Sequence, residues 1–218
     1  MSVQKPKVIF FDAVGTLFGV KGGVGQVYSQ LAQQFGVKVD PLALDLAFYD
    51  SFGAAGQMVF PGTMPEDIPE REYGWWWAIA AETFQKAGVL NQFGDFASFF
   101  SALYDHFAMP DPWEVYPDTI KTLNYWADQD VALGILSNFD TRLHKVLSVL
   151  ELKDFFSSVT ISSEVGAAKP DPRIFQAGLE KHDCEASEAW HVGDSFQDDY
   201  QGARLAGLRG FWLKRAEG

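Results

Sequence analysis

Residues Val8–Thr16 read VIFFDAVGT, four apolar residues followed by a carboxylate and a glycine turn. A short β-branched and aromatic run that ends at a glycine is typical of a buried strand. We therefore predict a strand over Val8–Phe11 that ends at Asp12. Since a carboxylate is a poor use of a buried strand end, Asp12 is a candidate functional residue.

Similar apolar runs recur in the second half of the chain, where they alternate with helical patterns. The predicted strands are Val131–Leu136, Val159–Ile161, Ala189–Val192 and Gly210–Leu213. The predicted helices are Thr119–Trp126, Thr141–Leu150, Pro172–Lys181 and Phe196–Ala206. Strands that alternate with helices imply crossover connections. The pattern thus predicts an α/β fold, a doubly wound parallel sheet with helices on both faces.

The segment between the first strand and Tyr116 breaks this alternation. It shows no convincing strand and reads as helices over about 24–36, 40–55, 70–87 and 95–107, with glycines at its start and prolines at its end. We predict an inserted helical cap of residues 18–116 on a core of residues 1–17 and 117–218. The three tryptophans Trp75–Trp77 are expected to belong to the core of this cap.

The composition is that of a globular chain with an acidic excess. Of 218 residues, 47% are hydrophobic, and 17 basic residues stand against 29 acidic ones, for a net charge of −12. This charge repels nucleic acid, and the sequence has no basic cluster. The longest apolar run, Trp75–Ala81, is far shorter than the roughly 18 residues of a membrane span. With a single cysteine and no signal peptide, we expect a cytoplasmic protein without nucleic-acid or membrane partners, its oligomeric state left open.

Residues with functional chemistry follow each of the first four core strands. Asp12, Gly15 and Thr16 follow the first, Ser137 and Asn138 the second, Lys169 the third, and Asp194 and Asp199 the fourth. The carboxyl ends of parallel strands meet at one edge, where open α/β sheets bind ligands. Carboxylates and a substrate phosphate suit Mg²⁺, while a lysine and a hydroxyl neutralise and hold phosphoryl oxygens. The set predicts magnesium-assisted phosphoryl transfer with Asp12 as nucleophile.

These residues lie in four motifs that resemble those of the haloacid dehalogenase (HAD) superfamily of hydrolases. The motifs are DAVGT at Asp12–Thr16, LSNFD around Ser137, AAKPDPRIF around Lys169, and GDSFQDDYQGA with Asp194 and Asp199. All four occur in family order, and the resemblance covers the whole chain. It implies a Rossmann-like core with a helical cap inserted after the first motif. SNFDTRL, DPRIF, DYQG and the tryptophan cluster most resemble the rhythmically-expressed-gene-two-like branch.

The resemblance also implies a role for each site residue. Asp12 would be nucleophile and Mg²⁺ ligand, with the backbone carbonyl of Val14 and the carboxylate of Asp194 as the other protein ligands. The phosphoryl group would be held by Gly15, Thr16, Ser137, Asn138 and Lys169. Asp199 would orient Lys169 or the metal-bound water. His191, by contrast, is interpreted as a strand residue with a satisfied hydrogen bond.

Val14 departs from the family pattern. The phosphatases that the chain resembles carry a second aspartate two residues after the nucleophile, which protonates the leaving group and then activates water. Valine does neither, and a general acid or base contributes about 10²–10⁴ in rate. The sequence therefore predicts a slow Mg²⁺-dependent hydrolase of a small phosphate ester or anhydride, with the smallest loss for leaving groups that depart unprotonated.

Other interpretations stay open. A phosphometabolite-binding or regulatory protein would keep the site without useful turnover. A 2-haloacid dehalogenase also lacks the second acid, but this chain has no arginine before Arg71, and Asp194 would repel a carboxylate substrate. A phosphonate-cleaving enzyme would need a cap lysine, for which Lys21 and Lys38 are the only early candidates, and neither has a matching sequence context.

Overall fold

The computed structural model describes residues 5–215. The strands are β1 (Val8–Phe11), β2 (Phe18–Val20), β3 (Trp113–Val115), β4 (Ala132–Ser137), β5 (Ser158–Ile161), β6 (Ala189–Gly193) and β7 (Arg209–Trp212). The α-helices are α1 (Val24–Gln34), α2 (Pro41–Ala54), α3 (Ile68–Lys86), α4 (Phe96–His106), α5 (Thr119–Ala127), α6 (Leu143–Val149), α7 (Ser162–Val165), α8 (Pro172–Glu180) and α9 (Gly202–Leu205). No helix in this range is long and apolar enough to span a membrane.

Five strands form one parallel sheet in the order β5-β4-β1-β6-β7. The central strand β1 is apolar at every position because both of its faces are covered. Ile9 and Phe11 pack into one apolar cluster, and Val8 and Phe10 pack into another on the opposite face. A strand that is buried on both sides shows a continuous apolar run. The predicted doubly wound parallel sheet is confirmed.

The helices α1–α4, here called the cap helices, have an apolar core of their own. Its fully buried members include Leu44, Phe84 and Phe99, and Trp75–Trp77 pack against it while partly buried. The predicted boundaries, with core residues 1–17 and 117–218 and cap residues 18–116, stay a prediction.

The prediction that residues 18–116 hold no strand is wrong. Strands β2 and β3 pair antiparallel at the two ends of this segment, with Phe18 opposite Val115 and Val20 opposite Trp113. The ring centroids of Phe18 and Trp113 lie 5.3 Å apart. Each strand has three residues, and its partner lies far away in sequence, so local periodicity carries no signal for it.

Two predicted core helices differ from the observed ones. The helix predicted over Phe196–Ala206 begins as a π-helical turn, Phe196–Gln201, before α9. Such turns are frequent at functional sites, and this one carries Asp199. The helix predicted over Thr141–Leu150 starts at Leu143, because the residues before it are engaged by the cap helices, as described below.

Helices α1 and α2 pack so closely at Gly25 that an added Cβ would lie 2.1 Å from the Pro41 carbonyl oxygen. We expect Gly25→Ala to lower the free energy of unfolding by about 1–3 kcal/mol, the usual cost of overpacking. Gly53 of α2 has no atom within 4 Å of an added Cβ. As the matched control, Gly53→Ala should raise stability by up to about 1 kcal/mol through helix propensity. Urea unfolding of both variants measures the difference, and equal effects would contradict the packing argument.

Candidate active site

The predicted site residues meet at the carboxyl edge of the sheet. Asp12 directly follows β1, Ser137 ends β4, and Lys169 precedes α8. All three are buried, with exposed fractions of 7%, 3% and 2%. Asp12 lies at the end of the central strand, so the residues after β4 and β6 reach it from either side.

The Lys169 ammonium is the centre of this cluster. Its Nζ lies 2.6 Å from Asp12 Oδ1, 2.6 Å from Asp199 Oδ1 and 3.1 Å from the Leu136 carbonyl oxygen. The Ser137 hydroxyl also donates to Asp12 Oδ1, at 2.8 Å. Asp12 Oδ2 takes part in none of the hydrogen bonds among residues 5–215. One oxygen of Asp12 is therefore fixed by two donors, and the other is available for chemistry.

The buried charges shift one another's pKa values. Burial alone would lower the pKa of Lys169, but the negative charges of Asp12 and Asp199 outweigh it and raise the pKa. Burial alone would raise the pKa of Asp199, but Lys169 and the hydrogen bond from His191 outweigh it and lower the pKa. For Asp12, burial prevails over Lys169 and raises the pKa. The site thus holds a charged lysine between two carboxylates.

His191 belongs to this network, beyond the isolated hydrogen bond predicted for it. It is fully buried, and its Nε2 donates to Asp199 Oδ1 at 2.7 Å. Burial lowers the pKa of His191, which favours the neutral ring. The Ser195 backbone N–H donates to Asp199 Oδ2 at 2.9 Å. Asp199 is therefore fixed from three sides and presents its charge to Lys169.

Asn138 contacts Lys169 through the main chain. Its Oδ1 accepts from the Lys169 N–H at 2.7 Å, and its Nδ2 donates to the Lys169 carbonyl at 3.0 Å. Both polar atoms of the side chain are thus used to fix the backbone that carries Lys169. In this arrangement Asn138 positions the lysine, whereas its predicted role was direct contact with phosphate.

Asp194 lies on the open side of the cluster, beside Gly15 and Thr16. The Thr16 hydroxyl donates to Asp194 Oδ1 at 3.3 Å. Limited solvation, together with the charges of Asp12 and Asp199, raises the pKa of Asp194 to about 6. Gly15 has φ +88°, and an added Cβ would lie 2.4 Å from Asp194 Oδ2. Only glycine allows this loop to approach the carboxylate so closely.

The donor set fits a magnesium ion. Carboxylate oxygens of Asp12, Asp194 and Asp199 lie within 4.8 Å of one another. All three donors are hard oxygen ligands, as Mg²⁺ requires. Lys169 supplies one positive charge against three carboxylates, so a cation would offset the excess negative charge. Val14 lines the same cavity, where its carbonyl was predicted as a further ligand.

Contacts between the cap helices and the loop after β4 were not predicted. Glu72 of α3 is fully buried and accepts hydrogen bonds from the backbone N–H of Thr141, at 2.9 Å, and from its hydroxyl. The indole of Trp76 donates to Asp140 Oδ2 at 2.7 Å. Trp76 thus contacts the core, while its neighbours Trp75 and Trp77 have no such bond among the described residues.

The same loop holds Arg142 against the cap. Arg142 forms a two-point ion pair with Asp140, at 2.9 and 2.6 Å, and donates to the Tyr104 carbonyl at 2.9 Å. Its guanidinium lies 3.7 Å from the centroid of the Tyr104 ring. The motif SNFDTR therefore combines Ser137 of the site with three residues that bind the cap helices. Sequence pattern carries no signal for these contacts, because their partners Trp76 and Tyr104 lie far away in sequence.

A cavity of about 740 Å³ lies between the cap helices and this edge of the sheet. Asp12, Ser137, Lys169 and Asp194 are at its base, and side chains of the cap helices, many of them aromatic, form its walls. Its volume is in the range of small-molecule sites. Asp12, Lys169 and the acidic cluster with Asp194 thus face one cavity that is open to solvent on one side and has room for a small substrate.

These features define a class of protein, the HAD-like hydrolases. Residues 6–207 match the family described as haloacid dehalogenase-like hydrolase, and the chain belongs to that family. The Danio rerio protein "Haloacid dehalogenase-like hydrolase domain-containing protein 3" is 32% identical over 210 residues, 96% of this chain and 86% of that protein. The "Rhythmically expressed gene 2 protein" of Drosophila melanogaster is 26% identical over 214 residues, 94% and 82% of the two chains. The predicted branch is confirmed.

Solved structures of the family share this fold. A HAD phosphatase from Thermococcus onnurineus has a TM-score of 0.62 and 25% identity, with 97% of this chain and 89% of that chain covered. The L-2-haloacid dehalogenase from Xanthobacter autotrophicus has a TM-score of 0.64 at 20% identity, over 93% and 75% of the chains. The second likeness is one of fold alone.

Removal of the Lys169 charge should destabilise the protein. In Lys169→Met, Asp12 and Asp199 would be buried without a cation, at an expected cost of about 3–5 kcal/mol in unfolding free energy. Without Lys169 the pKa values of these carboxylates rise, so the folded state takes up protons as pH falls. The deficit should therefore be smaller at pH 5 than at pH 8. Urea unfolding at both pH values measures it, with Lys145→Met, an exposed lysine of α6, as control. A deficit that does not change with pH would contradict this account.

Proposed function

We propose that the protein is a Mg²⁺-dependent phosphatase that hydrolyses a small phosphate ester or anhydride through a phosphorylated Asp12. The observation that carries the proposal is the hydrogen bonding of the Asp12 carboxylate, which differs between its two oxygens. Ser137 and Lys169 fix Oδ1, while Oδ2 remains free at the base of the cavity. A carboxylate that is held in one orientation with one free oxygen is prepared for nucleophilic attack.

In the first step Asp12 Oδ2 attacks phosphorus, and the bond from phosphorus to the leaving oxygen breaks. The leaving group departs with the electron pair. In the second step water attacks phosphorus, the bond to Asp12 breaks and the carboxylate is restored. The proton released from water balances the charge of the leaving group, so the products are inorganic phosphate and an alcohol or phenol from an ester, or an acid from an anhydride.

The chain's own residues stabilise this transfer. Lys169 and Ser137, which now contact Asp12, are close enough to donate to the phosphoryl oxygens as negative charge moves onto them. Mg²⁺, held by Asp12, Asp194 and the carbonyl of Val14, would supply further neutralisation of the phosphoryl oxygens when bound. Asp199 and His191 keep Lys169 charged and in place. The cap helices exclude bulk water from the cavity.

Two findings support the phosphatase reading over that of a dehalogenase. Asp194 and Asp199 add negative charge next to Asp12, which disfavours a carboxylate substrate in the absence of a cation. The Thermococcus onnurineus relative is described as a phosphatase.

A second candidate function, a phosphometabolite-binding protein without useful turnover, is favoured by one observation. Val14 replaces the residue that would transfer protons.

The first test is hydrolysis of p-nitrophenyl phosphate with and without Mg²⁺. We expect activity that EDTA removes, that Mg²⁺ restores and that Asp12→Asn abolishes, because the amide is not a nucleophile. Asp154→Asn changes an exposed aspartate outside the cavity lining and should keep full activity. No turnover by the wild type above Asp12→Asn would contradict the phosphatase. Stabilisation of that inactive protein against heat by phosphate with Mg²⁺ would then favour the binding protein.

The second test concerns Val14. We expect turnover to depend steeply on the leaving group, with aryl phosphates hydrolysed faster than alkyl phosphates, since no residue at this position donates a proton. Val14→Asp should raise kcat for alkyl phosphates by up to about 10²–10⁴, and less for aryl phosphates. Val14→Asn, of similar size but unable to transfer a proton, is the matched control. Equal wild-type rates on both substrate types, or an equal gain with asparagine, would contradict the role assigned to this position.

A further inference from the structure

Aromatic side chains of the cap helices form one wall of the cavity. The Tyr28 and Phe48 ring centroids lie 5.7 Å apart. Phe48 and Phe52 lie 5.6 Å apart, and Phe52 stacks on Trp76 at 5.9 Å. All four line the cavity. Each ring is held by the next, so the wall is a continuous apolar surface that favours the burial of another apolar or aromatic group.

The cationic groups of the cavity are already paired. Among its described lining residues, Arg142 and Lys169 carry positive charge. Lys169 lies between Asp12 and Asp199, and Arg142 is bound to Asp140 at two points. Lys169 is needed for the phosphoryl group at Asp12. No cation of the lining within residues 5–215 is therefore free to receive a second anionic group on a substrate.

Negative charge is in excess around the same space. Asp194 and Asp198 line the cavity, and neither belongs to an ion pair among residues 5–215. A bound Mg²⁺ would serve the phosphoryl group near Asp12 and Asp194. A carboxylate or second phosphate elsewhere in the cavity would lose its hydration and meet apolar rings and like charge, which is costly.

One neutral polar group remains in the aromatic wall. Tyr28 is 4% exposed, and its hydroxyl takes part in no hydrogen bond among the described residues. Its ring is fixed by stacking on Phe84, with centroids 5.8 Å apart. Because burial disfavours the phenolate, the pKa of Tyr28 is raised and the group is an uncharged hydroxyl. A buried hydroxyl of this kind matches a single neutral hydrogen-bonding group on a ligand.

We propose that the site takes monophosphates whose leaving group is uncharged and largely apolar, such as an aromatic ring, and rejects substrates with a second anionic group. This inference rests on the proposed function, since it places the phosphoryl group at Asp12 and Lys169. The aromatic wall favours binding of an apolar leaving group. The described lining has no free cation and has surplus carboxylates, so it disfavours a substrate with a second anionic group.

Phosphonates test the inference by binding alone. In these compounds a carbon atom replaces the ester oxygen, so the bond that a phosphatase would break is absent. The probes are benzylphosphonate, 4-carboxybenzylphosphonate and 2-hydroxyethylphosphonate, titrated into the wild-type protein with Mg²⁺ in a calorimeter. We expect benzylphosphonate to bind at least tenfold more tightly than either of the others. Equal or tighter binding of the carboxylated or the small polar phosphonate would overturn the inference.

A charge placed on the wall should reverse this preference. Phe52 is 42% exposed at the edge of the cavity, so Phe52→Arg can be accommodated and would offer an unpaired cation. We expect it to shift the ratio of affinities at least tenfold towards 4-carboxybenzylphosphonate. Leu46→Arg adds the same charge to α2 at a residue that is 67% exposed and outside the cavity lining. It should leave the ratio unchanged, and an equal shift in both variants would overturn the role of the wall.

The two proposals fail in different ways. Turnover of p-nitrophenyl phosphate that Asp12→Asn abolishes supports the phosphatase by itself. If that turnover is present and the carboxylated phosphonate binds best, the inference on leaving groups is overturned alone. If turnover is absent and none of the phosphonates binds, both are overturned. Selective binding of benzylphosphonate without turnover supports the inference and favours the binding protein over the phosphatase.

Discussion

A buried ammonium between two carboxylates holds the active site together. Lys169 is 2% exposed and lies 2.6 Å from both Asp12 and Asp199, and an unpaired charge at such a position costs several kcal/mol. The residues around Lys169 and Asp199 are those that keep this buried charge paired. An added Cβ at Gly193 would lie 2.0 Å from Asp199 Cγ, so glycine is required there, and Asn138 fixes the backbone of Lys169. Asp12, the nucleophile of the proposed function, is thus oriented without a substrate, and groups that are oriented in advance stabilise developing charge without reorganisation.

The same strand end also links the site to the cap. The loop that begins at Ser137 continues directly into Asp140–Arg142, which bind Trp76 and the Tyr104 carbonyl, while Glu72 binds Thr141. Both carboxylates are fully buried; the bonds of Glu72 to Thr141 require contact between cap and core, whereas Asp140 is also paired with Arg142 within its own loop. Opening of the cap would exchange those partners for water and would disturb the loop that carries Ser137. One short segment therefore contacts both the cap helices and the candidate site.

The sequence predicted the parts that depend on local pattern. The core strands, and the candidate site residues in the segments that follow them, lie where their order along the chain placed them. Strands β2 and β3 and the binding of Glu72 to Thr141 depend on residues that are distant in sequence, and no periodicity encodes such pairs. Asn138 shows a further limit. Its position after β4 was predicted, but only the structure shows that both polar atoms of its side chain bind the Lys169 main chain.

Val14 and the aromatic wall both concern the leaving group of the proposed substrate. An alkoxide is a poor leaving group unless an acid protonates it, and at position 14 the chain has a hydrocarbon side chain. An aryl oxide spreads its charge over the ring and can depart without a proton. The ring that stabilises such a leaving group is also the kind of group that Phe48, Phe52 and Trp76 would bury. Under the proposed function, the loss of proton transfer at Val14 costs least for the aryl leaving groups that the proposed ligand preference selects, so the two features are consistent with one substrate class.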